Sequence, residues 1–276
     1  MHYIDPISQP EFPSSSFTPA SEPLTDGDRA AVDIVDVLLI TVIAFFAFFF
    51  CTMIGFGIYW INHQALHLST EALSKAFSRD TRYLVFLELA AYIVVIGFMA
   101  LLAWGRHQLS LPQAISWNAP PLRYAGYAMA GGLALALFSD IGDMVLSRWI
   151  PKSLPIMELF KDRPSALLLA SFAILIAPLV EELFFRGFLY PALARFAGVV
   201  PSILVTAALF TLLHGAQLSF SWAPLLLIFF VGVTLTAVRA RTRSVALCVI
   251  VHMTYNFILL AQTFVATHGF RQMQGV

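Results

Sequence analysis

The sequence predicts an all-α polytopic integral membrane protein, a helical bundle with about seven transmembrane helices. Hydrophobic residues make up 59% of the 276-residue chain and charged residues only 12%, against roughly 25% charged in soluble domains. Several uncharged runs reach the ~20 residues that a helix needs to cross ~30 Å of hydrocarbon. The composition excludes an ordinary soluble protein, and the formal net charge of zero gives no basic surface for nucleic acid.

The chain begins with a polar segment, residues 1–30, that is rich in Pro, Ser, Thr and acids. Such a composition cannot bury enough apolar surface to order itself, which predicts a disordered tail. It is not a signal peptide, because a basic n-region is missing and the first apolar run starts too late. We divide the rest into N-terminal transmembrane helices, residues 31–150, and a transmembrane core that carries the polar motifs, residues 151–276.

Three spans are predicted in the N-terminal part of the chain. They cover about residues 37–61, 83–104 and 124–145. Glu88 lies near the start of the second span, where we expect snorkelling or a structural hydrogen bond. Asp140 and Asp143 lie near the end of the third span, where solvated acids are typical. None of these positions predicts a functional site.

Four more spans are predicted in the core, at about residues 165–191, 202–214, 223–238 and 245–264. Residues 150–164 mix Pro, Lys and apolar side chains, which predicts an interfacial segment, or an eighth, re-entrant element. Lys and Arg divide evenly between the two sides, so their overall count gives no orientation. The cluster of Arg239, Arg241 and Arg243 in a short loop places that loop, and with it the N-terminus, in the cytoplasm.

Three ionisable residues lie at membrane depth in the fourth span: Glu181, Glu182 and Arg186. Each costs roughly 2.5–3.5 kcal/mol on insertion scales, which a chain tolerates when the groups pair, line a wet cavity or do chemistry. Glu182 and Arg186 are four residues apart, so they share a helix face and can pair. Glu181 is rotated by one residue and is free to face another surface. Pro178, just before them, frees a backbone carbonyl and predicts a kink.

Two later spans carry polar residues at a similar depth. His214 follows Phe210 by four residues, and Asn256 follows His252 by four, so each pair projects to one side of its helix. With a rise of 1.5 Å per residue, Glu181 lies ~15 Å, His214 ~18 Å and His252 ~13 Å from the same side. These depths agree within about one helical turn, which predicts that the three polar sites share one layer of the bundle.

This set of side chains allows peptide hydrolysis by an activated water. A carboxylate in a low-dielectric cavity suits a general base that works near neutral pH, and a histidine beside it can share the proton of the water. A second histidine and an asparagine amide can donate hydrogen bonds to the developing oxyanion. The sequence contains no Gly-x-Ser-x-Gly nucleophile elbow and no Cys beside a His.

At these residues the chain resembles a known family of proteases. Three motifs carry the resemblance: Glu-Glu-x-x-x-Arg (Glu181, Glu182, Arg186), Phe-x-x-x-His (Phe210, His214) and His-x-x-x-Asn (His252, Asn256). In order and rough spacing they are similar to the motifs of the CAAX prenyl protease type II and bacteriocin-processing family, also called CPBP or Abi-type intramembrane endopeptidases. The resemblance covers roughly residues 165–264. One motif alone is weak evidence, whereas three in order are specific.

The resemblance implies an intramembrane endopeptidase that cleaves a membrane-anchored protein or peptide, after a prenylated cysteine in the eukaryotic members. It implies Glu181 as the general base with help from His214, and His252 and Asn256 as the oxyanion hole. The supporting residues that it implies are Glu182, Arg186 and Phe210. The partners are then the lipid bilayer and the anchored substrate, in the cell or inner membrane if the host is bacterial.

Three alternatives to a metal-free protease remain. The family is described both as glutamic proteases and as metalloproteases, and Glu181, His214 and His252 are a plausible zinc set. Because the sequence lacks His-Glu-x-x-His, we expect no metal and no other cofactor, with zinc as the alternative. The polar layer can also be structural, in a non-enzymatic membrane scaffold, bacteriocin-immunity or partner-binding protein. A proton- or ion-coupled transporter fits buried Glu and His, but no repeated halves are found.

Overall fold

The computed structural model describes residues 32–272, and all regular structure in that range is helical. Six helices in that range are long and apolar enough to cross a membrane, and a shorter apolar helix accompanies them. This confirms the predicted polytopic helical bundle. The predicted disordered tail, residues 1–30, lies outside the described residues.

Seven main helices follow one another along the chain. They are α1 (Ile34–Asn62), α2 (Thr81–His107), α3 (Leu122–Leu146), α4 (Arg163–Ala197), α5 (Val199–Leu213), α6 (Trp222–Thr242) and α7 (Val245–Ala266). Short helical segments join them: Gln64–Leu66, Thr70–Phe77, Leu111–Ala114, Ser147–Trp149, Pro155–Phe160 and Ala216–Leu218. The helices correspond one to one with the seven predicted spans.

Helix α5 differs from the span that was predicted for it. It has 15 residues, or ~22 Å at 1.5 Å per residue, which is shorter than the ~30 Å hydrocarbon core. The apolar run of the sequence and the helix both end at Leu213. The chain then turns, and the Phe220 N–H donates to the Gly215 carbonyl at 2.8 Å. The end of α5 therefore places His214 within the bundle rather than at a membrane surface.

Aspartate side chains cap the N-termini of two membrane-spanning helices. The side chain of Asp33 accepts from the backbone N–H of Val35 and of Asp36 at the start of α1. Asp162 accepts from the backbone N–H of Ser165 at 2.9 Å and begins α4. Such N-caps satisfy backbone donors that have no partner within the helix.

A buried acid joins the first two helices. The Asp36 side chain is fully buried, and its two oxygens contact Arg106 Nη1 at 2.6 Å and His107 Nε2 at 2.9 Å. These partners lie in the last turn of α2, so α1 and α2 run antiparallel. Helix α1 packs mainly on α2, and its phenylalanine-rich opposite face is exposed, as expected for a helix that faces lipid.

The contacts between loops assign each loop to one end of the bundle. At one end, Arg195 Nη1 donates to the Val32 carbonyl and Asn118 Nδ2 donates to the Arg243 carbonyl, both at 3.1 Å. The start of α1 and the loop near residue 243 therefore lie at the same end, which agrees with the predicted alternation of seven helices. That this end faces the cytoplasm stays a prediction.

The opposite end carries the segment that was predicted to be interfacial or re-entrant. Residues Pro155–Phe160 form a 3₁₀ turn, and none of them is buried. Glu158 pairs with Arg79 at 2.6 Å, and the turn packs near Ala216–Leu218. This part of the described chain therefore contains no re-entrant helix, which agrees with an interfacial segment.

Candidate active site

Helix α4, which carries both glutamates, is broken at Ile176. The α-helix that starts at Arg163 ends at Leu175, and a new one runs over Ala177–Glu182. Pro178 causes the break because it has no N–H and its ring clashes with the carbonyl four residues earlier. The predicted kink is therefore confirmed, and it lies one turn before Glu181.

A π-helix follows at once, over Leu183–Leu189. Its wider turn pairs the Tyr190 N–H with the Phe185 carbonyl, five residues earlier. The next donor in that pattern would be Pro191, which has no N–H, so the Arg186 carbonyl lacks its partner within the helix. Arg239 of α6 supplies one, because its Nε donates to that carbonyl oxygen at 2.9 Å. This contact was not expected from the sequence, in which Arg239 served only as a topology signal.

The predicted pair of Glu182 and Arg186 is confirmed. Arg186 Nη1 lies 2.7 Å from Glu182 Oε1, and both side chains are fully buried. Arg186 Nη2 also donates to the Gly232 carbonyl at 3.2 Å, and the guanidinium lies 4.8 Å from the ring centre of Phe210. A buried ion pair is tolerated only with such additional contacts, since desolvating two charges costs several kcal/mol each.

His252 lies between the two glutamates. Its Nδ1 is 2.9 Å from Glu182 Oε1, and its Nε2 is 3.9 Å from Glu181 Oε2. The Glu182 oxygen already accepts from Arg186, and a carboxylate only accepts, so the proton of His252 lies on Nδ1. In the neutral ring, Nε2 then carries a lone pair that faces Glu181. The Glu182–His252 hydrogen bond was not expected from the sequence.

His214 has the same tautomer for a different reason. Its Nδ1 lies 2.9 Å from the Phe210 backbone carbonyl, which can only accept, so Nδ1 donates and Nε2 is free. The ring centre of Phe210 lies 4.8 Å from that of His214 and 5.9 Å from that of His252. Phe210 thus packs against both imidazoles and fixes their separation.

Asn256 connects α7 to the break in α4. Its Nδ2 donates to the Ala173 carbonyl at 2.7 Å, three residues before Ile176. An amide nitrogen has two N–H groups, so one of them stays available to another acceptor. Asn256 therefore holds the kinked backbone in place as well as presenting a donor.

The four residues predicted to be catalytic line one cavity of about 220 Å³: Glu181, His214, His252 and Asn256. Glu182 and Arg186 lie behind its wall. Glu88, Gln217 and Tyr255 add polar groups to the lining, and the rest of it is apolar. The three polar motifs thus converge in one layer, as the depth estimates predict, while the catalytic roles stay predictions.

The zinc alternative requires Glu181, His214 and His252 to approach one point. Within residues 32–272, no group of three or more His, Cys, Asp or Glu side chains is arranged to hold a metal ion. The three side chains therefore do not fit a zinc ion in this arrangement.

The fold and the cavity define a class: a multi-pass helical membrane protein with Glu, His and Asn side chains around one cavity. A comparison with protein-family models matches residues 163–258 to the family described as type II CAAX prenyl endopeptidase, Rce1-like. The matched segment contains all three motifs, and it confirms the resemblance that they carry. The family is one of proteases. Comparisons with curated proteins and with solved structures found no match to this chain.

Proposed function

We propose that the protein is an intramembrane endopeptidase that hydrolyses a peptide bond of a membrane-anchored protein or peptide, with CAAX-type prenylated chains as one substrate class. The observation that carries the proposal is the 3.9 Å separation of Glu181 Oε2 and His252 Nε2 at the cavity. This distance is too long for a direct hydrogen bond and is one that a single water can bridge. A water there contacts Nε2 of His252 and the carboxylate of Glu181, which can accept its proton.

The reaction begins when Glu181 removes a proton from the bridging water as the water attacks the carbonyl carbon of the substrate. Glu181 keeps 20% of its side chain exposed, so it reaches the cavity, unlike the buried Glu182. The Nε2 lone pair of His214 accepts a hydrogen bond that orients the water. Glu181 then gives its proton to the leaving nitrogen as the C–N bond breaks, which yields a carboxylic acid and an amine; the acid then loses its proton to the amine.

The tetrahedral intermediate carries a negative oxygen that needs donors. Asn256 offers its second amide N–H, and His252 offers Nε2–H when the ring is protonated on both nitrogens. When His252 is protonated, the charges of the site balance. Two carboxylates then stand against two cations: Glu181 and Glu182 against Arg186 and His252. The four groups then sum to zero, which suits a site at membrane depth.

The contacts around Arg186 position these groups. Arg186 holds Glu182 Oε1, and Glu182 in turn fixes the tautomer and orientation of His252. The charge of Arg186 thus acts on the reaction through two intervening side chains. We further propose that the N-terminal end of the bundle faces the cytoplasm, in the cell membrane if the host is bacterial.

The test uses the purified protein in lipid vesicles with a membrane-anchored, internally quenched peptide. Glu181→Gln and His214→Ala are each expected to lower kcat by about 10²–10⁴-fold, the range for a lost general acid–base. Glu71→Gln, at an exposed acid outside the cavity, is the matched control and should keep wild-type activity. Thermal unfolding in detergent checks that each variant is folded.

Full activity in folded Glu181→Gln would overturn the assignment of the base. If the wild type cleaves no anchored peptide of any composition, the scaffold alternative is favoured over the protease. A scaffold in addition requires that Glu181→Gln leaves the cellular phenotype unchanged.

A further inference from the structure

A third carboxylate lies at the same cavity as Glu181. Glu88 of α2 is one of its lining residues, and Tyr92 donates its hydroxyl to Glu88 Oε1 at 3.0 Å. Tyr92 is itself held by stacking on Phe172 of α4, with ring centres 5.8 Å apart. The structural hydrogen bond expected for Glu88 is therefore present, but the carboxylate lines the cavity.

The hydrogen bond from Tyr92 satisfies Glu88 only in part. An ionised carboxylate has about four acceptor positions, and Tyr92 occupies one. Within residues 32–272, no Lys, Arg or His forms a salt bridge with Glu88, in contrast to Glu182, which has Arg186. A carboxylate at membrane depth without a cation is costly, and Glu181 at the same cavity has the same sign of charge.

The lining of the cavity offers a place for a cationic side chain. Ile156, Leu169 and Phe172 are apolar residues that line the same cavity as Glu88. Lys and Arg bury their aliphatic stems along apolar surface and keep the charged group at a polar site. The apolar lining can thus pack against the aliphatic stem of a basic side chain, and the Glu88 carboxylate can pair with its charge.

We propose that Glu88 is a specificity-determining residue that binds a basic side chain of the substrate close to the scissile bond. The inference rests on the proposed protease function, because it takes the cavity as the place where substrate binds. The ammonium or guanidinium supplies the cation that Glu88 lacks, and Tyr92 holds the carboxylate toward it. A substrate with an acidic residue at that position is repelled by Glu88 and Glu181 together.

The experiment compares lipid-anchored quenched peptides of one sequence that carry Lys, Gln or Glu at each position within four residues of the cleaved bond. At one position the wild type is expected to favour Lys over Gln by about tenfold in kcat/KM, which is about 1.4 kcal/mol. Glu88→Gln should remove this preference while it still cleaves the Gln peptide. Glu88→Lys should favour the Glu peptide, and Glu158→Lys, at an exposed acid, should behave as the wild type.

Three results would overturn the inference. They are equal cleavage of all peptides by the wild type, a Lys preference that persists in Glu88→Gln, and loss of all cleavage in folded Glu88→Gln. The last would give Glu88 a catalytic or structural role instead. Binding of the same peptides, measured by fluorescence anisotropy, separates this inference from the proposed function. If no peptide is cleaved, a Lys preference in binding that Glu88→Gln removes still supports it, and its absence overturns it.

Discussion

Arg239 donates a hydrogen bond from Nε to the backbone carbonyl oxygen of Arg186 at 2.9 Å, across 53 residues of sequence. The carbonyl needs this donor because the π-helix shifts its partner to Pro191, which has no N–H. Arg186 in turn binds Glu182, and Glu182 binds His252. One side chain of α6 therefore stabilises the backbone on which the polar groups of the cavity depend.

Arg239→Met, which has no donor, is expected to lower the free energy of unfolding by about 1–3 kcal/mol, the cost of a buried carbonyl without a donor. It should also lower kcat, because the Arg186 backbone that orients Glu182 can then move. Thermal unfolding in detergent and the peptide cleavage assay measure the two effects. Arg239→Lys, which keeps a donor, should recover part of both.

Arg241→Met is the matched control, since Arg241 lies two residues further along α6 and is exposed. It should unfold and cleave like the wild type. If Arg239→Met and Arg241→Met behave alike, the hydrogen bond to Arg186 does not matter for the site.

Removing one partner of the buried pair, by Glu182→Gln or Arg186→Met, is expected to cost about 3–5 kcal/mol of stability. The reason is that the remaining charge is left buried without its counter-ion. The double variant should recover part of the stability, because no single charge is then stranded. It should not recover activity, since His252 loses the carboxylate that fixes its tautomer.

The exposed pair of Arg79 and Glu158 provides the comparison for this experiment. Its side chains are about half exposed, at 48% and 52%, so Arg79→Ala should cost about 0–1 kcal/mol. Single variants of Glu182 and Arg186 that are no less stable than Arg79→Ala would contradict the structural role of the buried pair.

Treatment with a strong chelator followed by dialysis is expected to leave peptide cleavage unchanged. The physical reason is that Glu181, His214 and His252 do not gather into a three-ligand set. Elemental analysis of the purified protein should find no stoichiometric zinc, and a zinc protease treated in parallel shows that the chelator works. Loss of activity that added zinc restores would establish the metal alternative.

Local spacing and helical rise predicted much of this site. Glu182 and Arg186 pair because residues four apart share a helix face, which holds wherever the helix lies. The depths of Glu181, His214 and His252 were predicted by counting residues at the fixed rise of a helix. Because these depths are similar, the three side chains can reach one cavity. Pro178 also predicted the break from local chemistry, because proline lacks the N–H that would form a hydrogen bond within the same helix.

The contacts that the sequence did not predict depend on how the helices are rotated about their axes. Helix α6 is apolar over most of its circumference, so its sequence does not show which face packs on α4. Arg239 reaches Arg186, and Glu88 lines the cavity, only once those rotations are known. The nearby Gly187 and Pro191 were the available signal for an irregular turn, but neither residue alone specifies a π-helix.

Asp36 has a consequence for how the protein is made. The acid enters the membrane boundary with α1, yet its partner Arg106 is 70 residues further along the chain. At a synthesis rate of about 5–20 residues per second, Asp36 waits several seconds for its cation. The first helix thus leaves the ribosome with an unneutralised acid at its start, and the emergence of α2 completes the pair. Biogenesis of this bundle therefore favours insertion of the first two helices together, as a hairpin.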